Sequence, residues 1–161
     1  MRLEKHLAAA TAVCVMLALP FAAVAMEKKP APAPASWQSV AKTDIQEAFV
    51  DLNSIGVVGA YLAATAKFEY ATPQPWEKDK TFSSLYSVLR VDCAGRRLAD
   101  RETRAHAGAG LQGDVVRKAS RSEKNLIWRD AAPRTVDGEV LDFVCKSGPQ
   151  AAPQAAPPPG T

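Results

Sequence analysis

The sequence is poor in the side chains that carry most enzyme and metal chemistry. It has two histidines and three cysteines in 161 residues. Two of these five, His6 and Cys14, lie in a segment that we expect to be removed, which leaves one histidine, His106. One histidine cannot form a histidine acid–base pair or a two-histidine metal site within one subunit. Acidic residues are numerous, but no two are distinguished as a catalytic pair. We therefore predict a non-catalytic protein without a cofactor or bound metal.

The chain also lacks an apolar run long enough to cross a membrane comfortably, which takes about 20 residues. The N-terminus has the three parts of a secretory signal peptide instead. Arg2 and Lys5 supply the positive start, Leu7–Phe21 is the apolar stretch, and small residues occupy positions 23 and 25. We predict a signal peptide at 1–25, cleavage after Ala25 and export, with no transmembrane segment.

A strong charge of either sign is absent as well. Without the first 25 residues, the chain has 18 basic and 16 acidic side chains, a balance that excludes a nucleic-acid-binding footprint. The charge is uneven, however, because residues 90–134 contain 11 basic and 6 acidic side chains. This local excess has two interpretations: a solvated sheet face, or a surface for an anionic partner such as a polysaccharide, a membrane surface or an acidic protein patch.

Two segments lack the apolar residues of a core. Residues 26–35 read MEKKPAPAPA, with proline and alanine alternating over the last six, and are predicted to form an extended linker. Residues 147–161 contain five prolines and no charge, and we predict a disordered tail there. The intervening residues 36–146 are enough for one domain with a modest core. We find no internal repeat.

Alternating apolar and polar residues predict a sheet of short strands. No helix-length connection separates them, so an antiparallel meander is expected. A loop at Ala71–Thr81 is predicted to expose Trp76, whereas Trp37 and Trp128 are predicted to be half-buried in strands. The predicted strands are Trp37–Lys42, Ala48–Asp51, Val57–Tyr70, Phe82–Cys93, Arg96–His106, Asp114–Ser120 and Asn125–Arg129.

The end of the domain changes to helical periodicity. Val140, Leu141 and Val144 recur at helical spacing, Thr135 is a candidate N-cap, and Gly148 lies just past the end. A helix of about ten residues would hardly persist alone in water. The sequence therefore predicts a C-terminal helix that the rest of the domain must hold.

Cys93 and Cys145 are the two cysteines left after signal removal. An even pair in an exported protein predicts one disulfide, which would close a loop of roughly 50 residues and contribute about 4 kcal/mol on the chain-entropy model. Free-thiol reactivity is the alternative, but the pair lacks the CxxC spacing of redox sites. Gly108, Gly110 and Gly113 form a superficial GxGxxG run, which we interpret as a hairpin loop because the strand–turn–helix context of a phosphate loop is missing.

Four sequence blocks, taken in order, resemble the surface-adhesin protein E family of Gram-negative bacteria. They are VDLNSI at Val50–Ile55, SLYSVLRVDCAGRRL at Ser84–Leu98, GDVV at Gly113–Val116 and the block Ile127–Cys145. The resemblance implies an α+β fold, in which a single antiparallel sheet of about six strands carries a C-terminal helix. It also implies that the disulfide maps onto Cys93 and Cys145.

For function, the resemblance implies a cell-envelope binding module in the periplasm or on the outer surface of a Gram-negative bacterium. The family's best-known member is a lipid-anchored outer-membrane adhesin that binds host matrix and serum proteins and can dimerise. We expect partners among host matrix proteins, envelope proteins or anionic polymers, and a possible homodimer through uncovered sheet edges. We expect no lipid anchor here, because the signal has no suitable cysteine.

The candidate contact surface joins a basic sheet face to the exposed loop. Its residues are Arg90, Arg96, Arg97, Arg101, Arg104 and Trp76. Two alternatives stay open. One is a periplasmic structural or assembly protein tethered by its proline-rich ends. The other is an enzyme or an enzyme inhibitor, the latter acting through the Trp76 loop.

Overall fold

The computed structural model describes residues 34–77 and 79–149. The predicted signal peptide, most of the predicted linker and most of the predicted tail lie outside these residues. The described part contains eight strands and one α-helix, joined by short turns. These are β1 (Trp37–Lys42), β2 (Gln46–Asp51), β3 (Gly56–Val58), β4 (Tyr61–Pro75), β5 (Thr81–Asp92), β6 (Arg97–His106), β7 (Val115–Ser120), β8 (Trp128–Asp130) and α1 (Val136–Ser147).

All strand pairs are antiparallel, and the long strands follow the order β1-β2-β4-β5-β6-β7. The short strands β3 and β8 pair with the ends of β4 and β6 that β2 and β7 leave free. Consecutive long strands are thus neighbours in space, as short connections favour. The predicted α+β class, with one antiparallel sheet and a C-terminal helix, is confirmed.

Several predicted boundaries are wrong. Strand β2 begins at Gln46 rather than Ala48, and β8 begins at Trp128 rather than Asn125, which belongs to a short turn. Two further differences change how the strands are connected.

Val57–Tyr70 is not one strand, because Gly59 adopts a φ of +61° and reverses the chain between Val58 and Tyr61, which pair with each other. A left-handed backbone is available to glycine without steric cost, so this position permits the tight turn.

The predicted loop at Ala71–Thr81 is also too long. Strand β4 runs to Pro75, which pairs with Thr81 after an irregularity between Glu69 and Gln74. Proline donates no ladder hydrogen bond and is tolerated at such irregular positions. The connection between β4 and β5 is therefore limited to residues 76–80.

The core lies between one face of the sheet and α1. Alternate residues of β4 are buried, with Ala66 fully covered, and α1 contributes Val140, Leu141 and Val144. The N-cap prediction is confirmed, since the Gly138 N–H donates to Thr135 Oγ1 over 3.1 Å. The helix then ends where the Gly148 N–H donates to the Val144 carbonyl over 2.8 Å.

The predicted disulfide is present and fastens α1 to the sheet. It joins Cys93, directly after β5, to Cys145 in the last turn of α1, and their Cα atoms are 5.8 Å apart. The short helix is therefore held by its apolar stripe and by a covalent bond near its C-terminus.

Candidate functional site

Arg90 lies near the middle of the sheet and is only 8% exposed. It is on the face opposite α1, since its neighbours Leu89 and Val91 are the core-facing residues of β5. Its guanidinium forms two hydrogen bonds with the carboxylate of Glu123, with Nη2 2.6 Å from Oε1 and Nε 3.1 Å from Oε2. Arg90 therefore fastens the turn at residues 123–125 to the sheet rather than presenting its charge to solvent.

Arg97 and Asp92 form a second internal ion pair, next to the disulfide-bearing turn. Arg97 Nε is 3.2 Å from Asp92 Oδ2, and the Gly95 N–H donates to the other carboxylate oxygen over 2.8 Å. Burial of this carboxyl raises its pKa. The hydrogen bond from Arg97, the Gly95 N–H and the charge of Arg97 outweigh burial, so the pKa of Asp92 lies below its ordinary value.

Arg96 connects the β5–β6 turn to α1. Its Nη1 is 2.7 Å from Asp142 Oδ1, and Nη2 donates to the Ala131 carbonyl over 3.4 Å. The hydrogen bond from Arg96 lowers the pKa of Asp142, against a smaller opposing effect of burial. Arg96 therefore helps to hold α1 at a point separate from the disulfide.

Arg101 and Arg104 are also bound internally but are more accessible. Arg101 occupies an irregular position in the β5–β6 ladder, donates to Ser120 Oγ over 2.8 Å and has its Nε 3.4 Å from Glu123. Arg104 pairs with Glu102 and lies over the Tyr86 ring at 5.3 Å. Both side chains keep a third or more of their surface exposed.

The structure does not gather the six predicted contact residues into one patch. Arg96 and Arg97 lie at the end of β5 opposite to the turn that carries Trp76. Strand β5 has 12 residues, so at about 3.3 Å per residue its two ends are roughly 40 Å apart. The role of the five arginines in binding stays a prediction, and each of them has a carboxylate partner.

Trp76 is half-buried rather than fully exposed as predicted. The guanidinium of Arg117, on β7, lies over its ring at 3.9 Å from the ring centroid. The Trp76 N–H donates to the Lys80 carbonyl over 2.7 Å, so the turn at residues 76–80 is closed by its own backbone. Trp76 is thus fixed against the edge of the sheet.

Next to Trp76 is an open depression on the α1 side of the sheet, beyond the reach of the helix. It has a volume of about 280 Å³. Cross-strand pairing of Leu85 with Ala105, and of Ala105 with Arg117, places these residues on one face. We call this depression the β5–β7 groove; its lining includes Phe82, Leu85, Ala105, Ala119, Arg117 and Arg121.

Arg117 and Arg121 differ from the predicted arginines. Within residues 34–77 and 79–149, neither forms an ion pair with a carboxylate. They are not among the contact residues predicted from the sequence, which are the arginines around β6 and Trp76. The alternation of Arg117, Ala119 and Arg121 could have indicated a basic edge, since residues at i, i+2 and i+4 share one face of a strand.

A smaller cavity of about 260 Å³ continues from the groove toward the first turn of α1. There Arg129 bridges two carboxylates, with Nη1 2.7 Å from Asp100 Oδ2 and Nε 2.7 Å from Asp137 Oδ2. Burial lowers the pKa of Arg129, but the hydrogen bonds and charges of Asp137 and Asp100 outweigh burial. The pKa of Arg129 therefore lies above its ordinary value. Burial, followed by the same two carboxylates, raises the pKa of Tyr70 in this cavity. Both acids thus have a cationic partner here.

The glycine run behaves as the predicted hairpin loop. Residues 109–111 form a single turn between β6 and β7. The Gly110 N–H donates to the Glu69 carboxylate over 2.9 Å, and the Leu111 N–H donates to Ser84 Oγ over 3.0 Å. These backbone donors are used within the domain and do not form a phosphate cradle.

Over the stretch that the structure covers, no group of three or more histidine, cysteine or acidic side chains could hold a metal ion. In that same stretch, none of the helical segments has the length and apolarity of a membrane span.

The fold and the groove define a small, disulfide-bonded α+β domain with an open, partly basic surface. The model of the Surface-adhesin protein E family matches residues 37–146. The chain belongs to this family, and the resemblance inferred from the four sequence blocks is confirmed.

Solved structures similar to the chain include three of Haemophilus influenzae protein E. Crystal form II is 17% identical, with 74% of this chain and 96% of that chain covered and a TM-score of 0.49. A second structure is 16% identical, with 74% and 91% covered and a TM-score of 0.48. Protein E from non-typeable Haemophilus influenzae is 16% identical, with 74% and 83% covered and a TM-score of 0.46. No curated protein matches the chain.

Proposed function

We propose that this protein is a non-catalytic, adhesin-like binding module displayed at the cell surface. The observation that carries the proposal is the family match, because it spans the sheet and nearly all of the helix. The open groove gives this proposal a physical basis, since it offers apolar and cationic side chains to a macromolecular partner. A protein or an anionic polymer fits such a surface better than a small substrate, which needs an enclosing pocket.

We propose export as the first step in this function. Its support is the signal-like pattern of residues 1–25 and the disulfide between Cys93 and Cys145. Such bonds persist in the bacterial periplasm and at cell surfaces. The proline-rich segments at 26–35 and 147–161 would then act as spacers on both sides of the binding domain.

Of the contact residues predicted from the sequence, Trp76 best fits the proposed surface. It borders the β5–β7 groove through its contact with Arg117. Arg101 and Arg104 are accessible but paired with Glu123 and Glu102, and Arg90 is enclosed by Glu123. Pairing of two copies through sheet edges remains a proposal.

The experiment is adherence of a non-adherent Gram-negative bacterium that expresses the full chain. We expect cells with the intact chain to be retained on surfaces coated with extracellular-matrix proteins, and the domain to be cleaved by protease added to intact cells. The matched control lacks residues 2–25, so that an equal amount of protein stays in the cytosol. Protease resistance on intact cells, together with a soluble periplasmic pool and no retention, would favour the structural alternative instead.

A second candidate function, enzyme inhibition through a protruding rigid loop, has little geometric support. The turn carrying Trp76 is closed by its own hydrogen bond and lies under Arg117. A loop that inserts into an enzyme cleft would present its central side chain outward. We therefore do not assign inhibition to this turn.

A further inference from the structure

We propose that the β5–β7 groove binds an extended acidic segment of a partner protein. In this segment two carboxylates flank an apolar side chain, in the pattern acidic–x–apolar–x–acidic. The inference rests on the proposed function and names the chemistry of the partner. Its basis is the arrangement of charge and apolar surface along β7.

The charge comes from two arginines that have no carboxylate partner among the residues that the structure describes. Arg117 and Arg121 border the groove. The carboxylate in its lining, Asp100, is bound to Arg129, with Oδ2 2.7 Å from Nη1. The five arginines around β6 have acids of their own. An anionic ligand therefore meets uncompensated positive charge at the groove, which is where electrostatic complementarity favours binding.

The spacing of the two arginines sets the spacing of the ligand's acids. The Arg121 N–H donates to the Arg101 carbonyl over 2.9 Å, so the backbone stays paired with β6 just beyond β7. Four residues of extended chain span about 13 Å. A second extended segment repeats its side chains over the same distance. Carboxylates four residues apart can therefore reach both Arg117 and Arg121.

The Trp76 ring holds the guanidinium of Arg117 in a position from which it can bind a carboxylate. The Arg117 guanidinium lies over the ring at 3.9 Å, a contact that restricts its rotamers while leaving the N–H edge free. Arginine binds carboxylates through that edge with two parallel hydrogen bonds. A guanidinium held in advance loses less conformational entropy on binding.

The apolar floor favours a polypeptide over a polysaccharide. Leu85, Ala105 and Ala119 form the floor between the two arginines, and Phe82 borders it. The small alanines leave room for a large apolar side chain of the ligand, whose burial is favourable. Sulfated or carboxylated sugars would use the two charges but gain little from this floor.

The test is a titration of the isotope-labelled chain after removal of the predicted signal peptide, residues 26–161 with the disulfide formed, followed by NMR. The amide spectrum also reports whether each variant folds. The probe is a blocked seven-residue peptide with glutamate at its second and sixth positions, phenylalanine at the fourth and threonine elsewhere. We expect the largest shifts at Phe82, Leu85 and residues 115–121.

Matched probes and variants define the result. Replacing both glutamates of the peptide with glutamine should weaken binding about tenfold or more, as should the Arg117→Glu/Arg121→Glu variant. The control variant Lys118→Glu/Lys124→Glu makes the same charge change outside the groove and should bind within about twofold of wild type. If charge reversal disturbs the fold, the milder Arg117→Gln/Arg121→Gln variant takes its place and should also lose binding.

The proposal is overturned by any of three results. These are no binding of the probe at millimolar concentration, shifts located on another face, or equal binding of the glutamine peptide. A heparin oligosaccharide that binds the same residues more tightly than the probe also overturns the choice of a polypeptide. The adherence experiment is independent: adherence without peptide binding leaves the proposed function standing, and peptide binding without adherence overturns only that function.

Discussion

The ion pair between Arg90 and Glu123 joins two residues that are 33 positions apart in sequence. Arg90 is buried, whereas Glu123 keeps about half of its side chain exposed. The pair therefore connects the sheet to a surface turn. We expect its contribution to the free energy of unfolding to lie between the small contribution of an exposed pair and the large loss on breaking a buried one.

Replacing Arg90 with alanine should lower the free energy of unfolding by about 2 kcal/mol, because it removes a buried side chain and two charge-assisted hydrogen bonds. Urea denaturation measures the change. The control is Arg104→Ala, at an exposed pair, which should change stability by at most about 0.5 kcal/mol. Equal effects of the two variants would contradict the structural role of Arg90.

Asp92 makes the domain sensitive to acid. Its pKa in the folded protein is lowered, so the folded state binds fewer protons than the unfolded state near the ordinary carboxyl pKa of about 4. The stability from the Asp92–Arg97 pair is thus fully present above that pH and is lost as the pH falls through the lower folded-state value. The pKa values of Glu123 and Asp142 are shifted in the same direction.

Thermal melts should therefore change little between pH 7 and about pH 5 and fall steadily below about pH 4. The Asp92→Asn variant should start from a lower melting temperature and lose less on acidification. A wild-type melting temperature that stays constant down to pH 2 would show that these pairs contribute nothing to stability.

At the residue scale, sequence alone predicted an excess of arginine but not which arginines are free. Pairing depends on the register of β5, β6 and β7 and on where the turn at residues 123–125 folds back. Those are tertiary properties, so Arg90 and Arg117 look equivalent in the sequence. Only the structure separates the neutralised residue from the available one.

Among the elements, β1 and α1 are the two whose bounds the sequence predicted best, and the prediction for β1 is exact. The start of α1 follows from the Thr135 cap, and its buried face follows from the spacing of Val140, Leu141 and Val144. The β3–β4 hairpin was missed because β-branched Val57 and Val58 read as a continuation of β4. A single glycine conformation at Gly59 decides that turn.

Gly138 in α1 has a role that helix propensity alone would not suggest. A Cβ added there would clash with the Ala132 carbonyl oxygen, since the chain entering the helix packs closely on its first turn. In an open helix, alanine would be better than glycine by about 1 kcal/mol. Here the backbone neighbour cannot move away as a flexible side chain would.

We therefore predict that Gly138→Ala destabilises the domain, by about 1–3 kcal/mol, instead of stabilising it. Chemical denaturation with both variants measures this, using Glu139→Ala at the exposed neighbouring position as the control, which should change stability by at most about 0.5 kcal/mol. A stabilising effect of Gly138→Ala would show that the first turn packs differently.

At the scale of the whole molecule, the disulfide is the bond that unites sheet and helix. Cys93 and Cys145 are 52 residues apart, and closing a loop of that length contributes about 4 kcal/mol on the chain-entropy model. This is a large share of the 5–15 kcal/mol that is typical of folded domains.

The Cys93→Ser/Cys145→Ser variant should lose about 4 kcal/mol of stability, equivalent to a fall of roughly 15 °C in melting temperature. Calorimetry of this variant beside the reduced wild-type protein measures the loss, and the two should agree. Two titratable thiols in the exported wild-type protein, together with a melting temperature equal to that of the serine variant, would refute the role given to this bond.

The class of fold and the family followed from sequence because they depend on patterns distributed over the whole chain. Strand alternation, the terminal helix and the two cysteines all lie in order along residues 37–146. The proposed binding surface did not follow, because the β5–β7 groove is formed by three strands and a turn that meet only in the folded domain.

The central claim is that this protein acts by surface contact through the β5–β7 groove, and adherence of displaying cells tests it most directly. Cells with equal amounts of wild type, Arg117→Glu/Arg121→Glu or Lys118→Glu/Lys124→Glu would be counted on the same matrix-coated surface. We predict that the groove variant falls to the level of cells without the protein, whereas the control variant adheres like wild type. Equal adherence of all three would contradict the account.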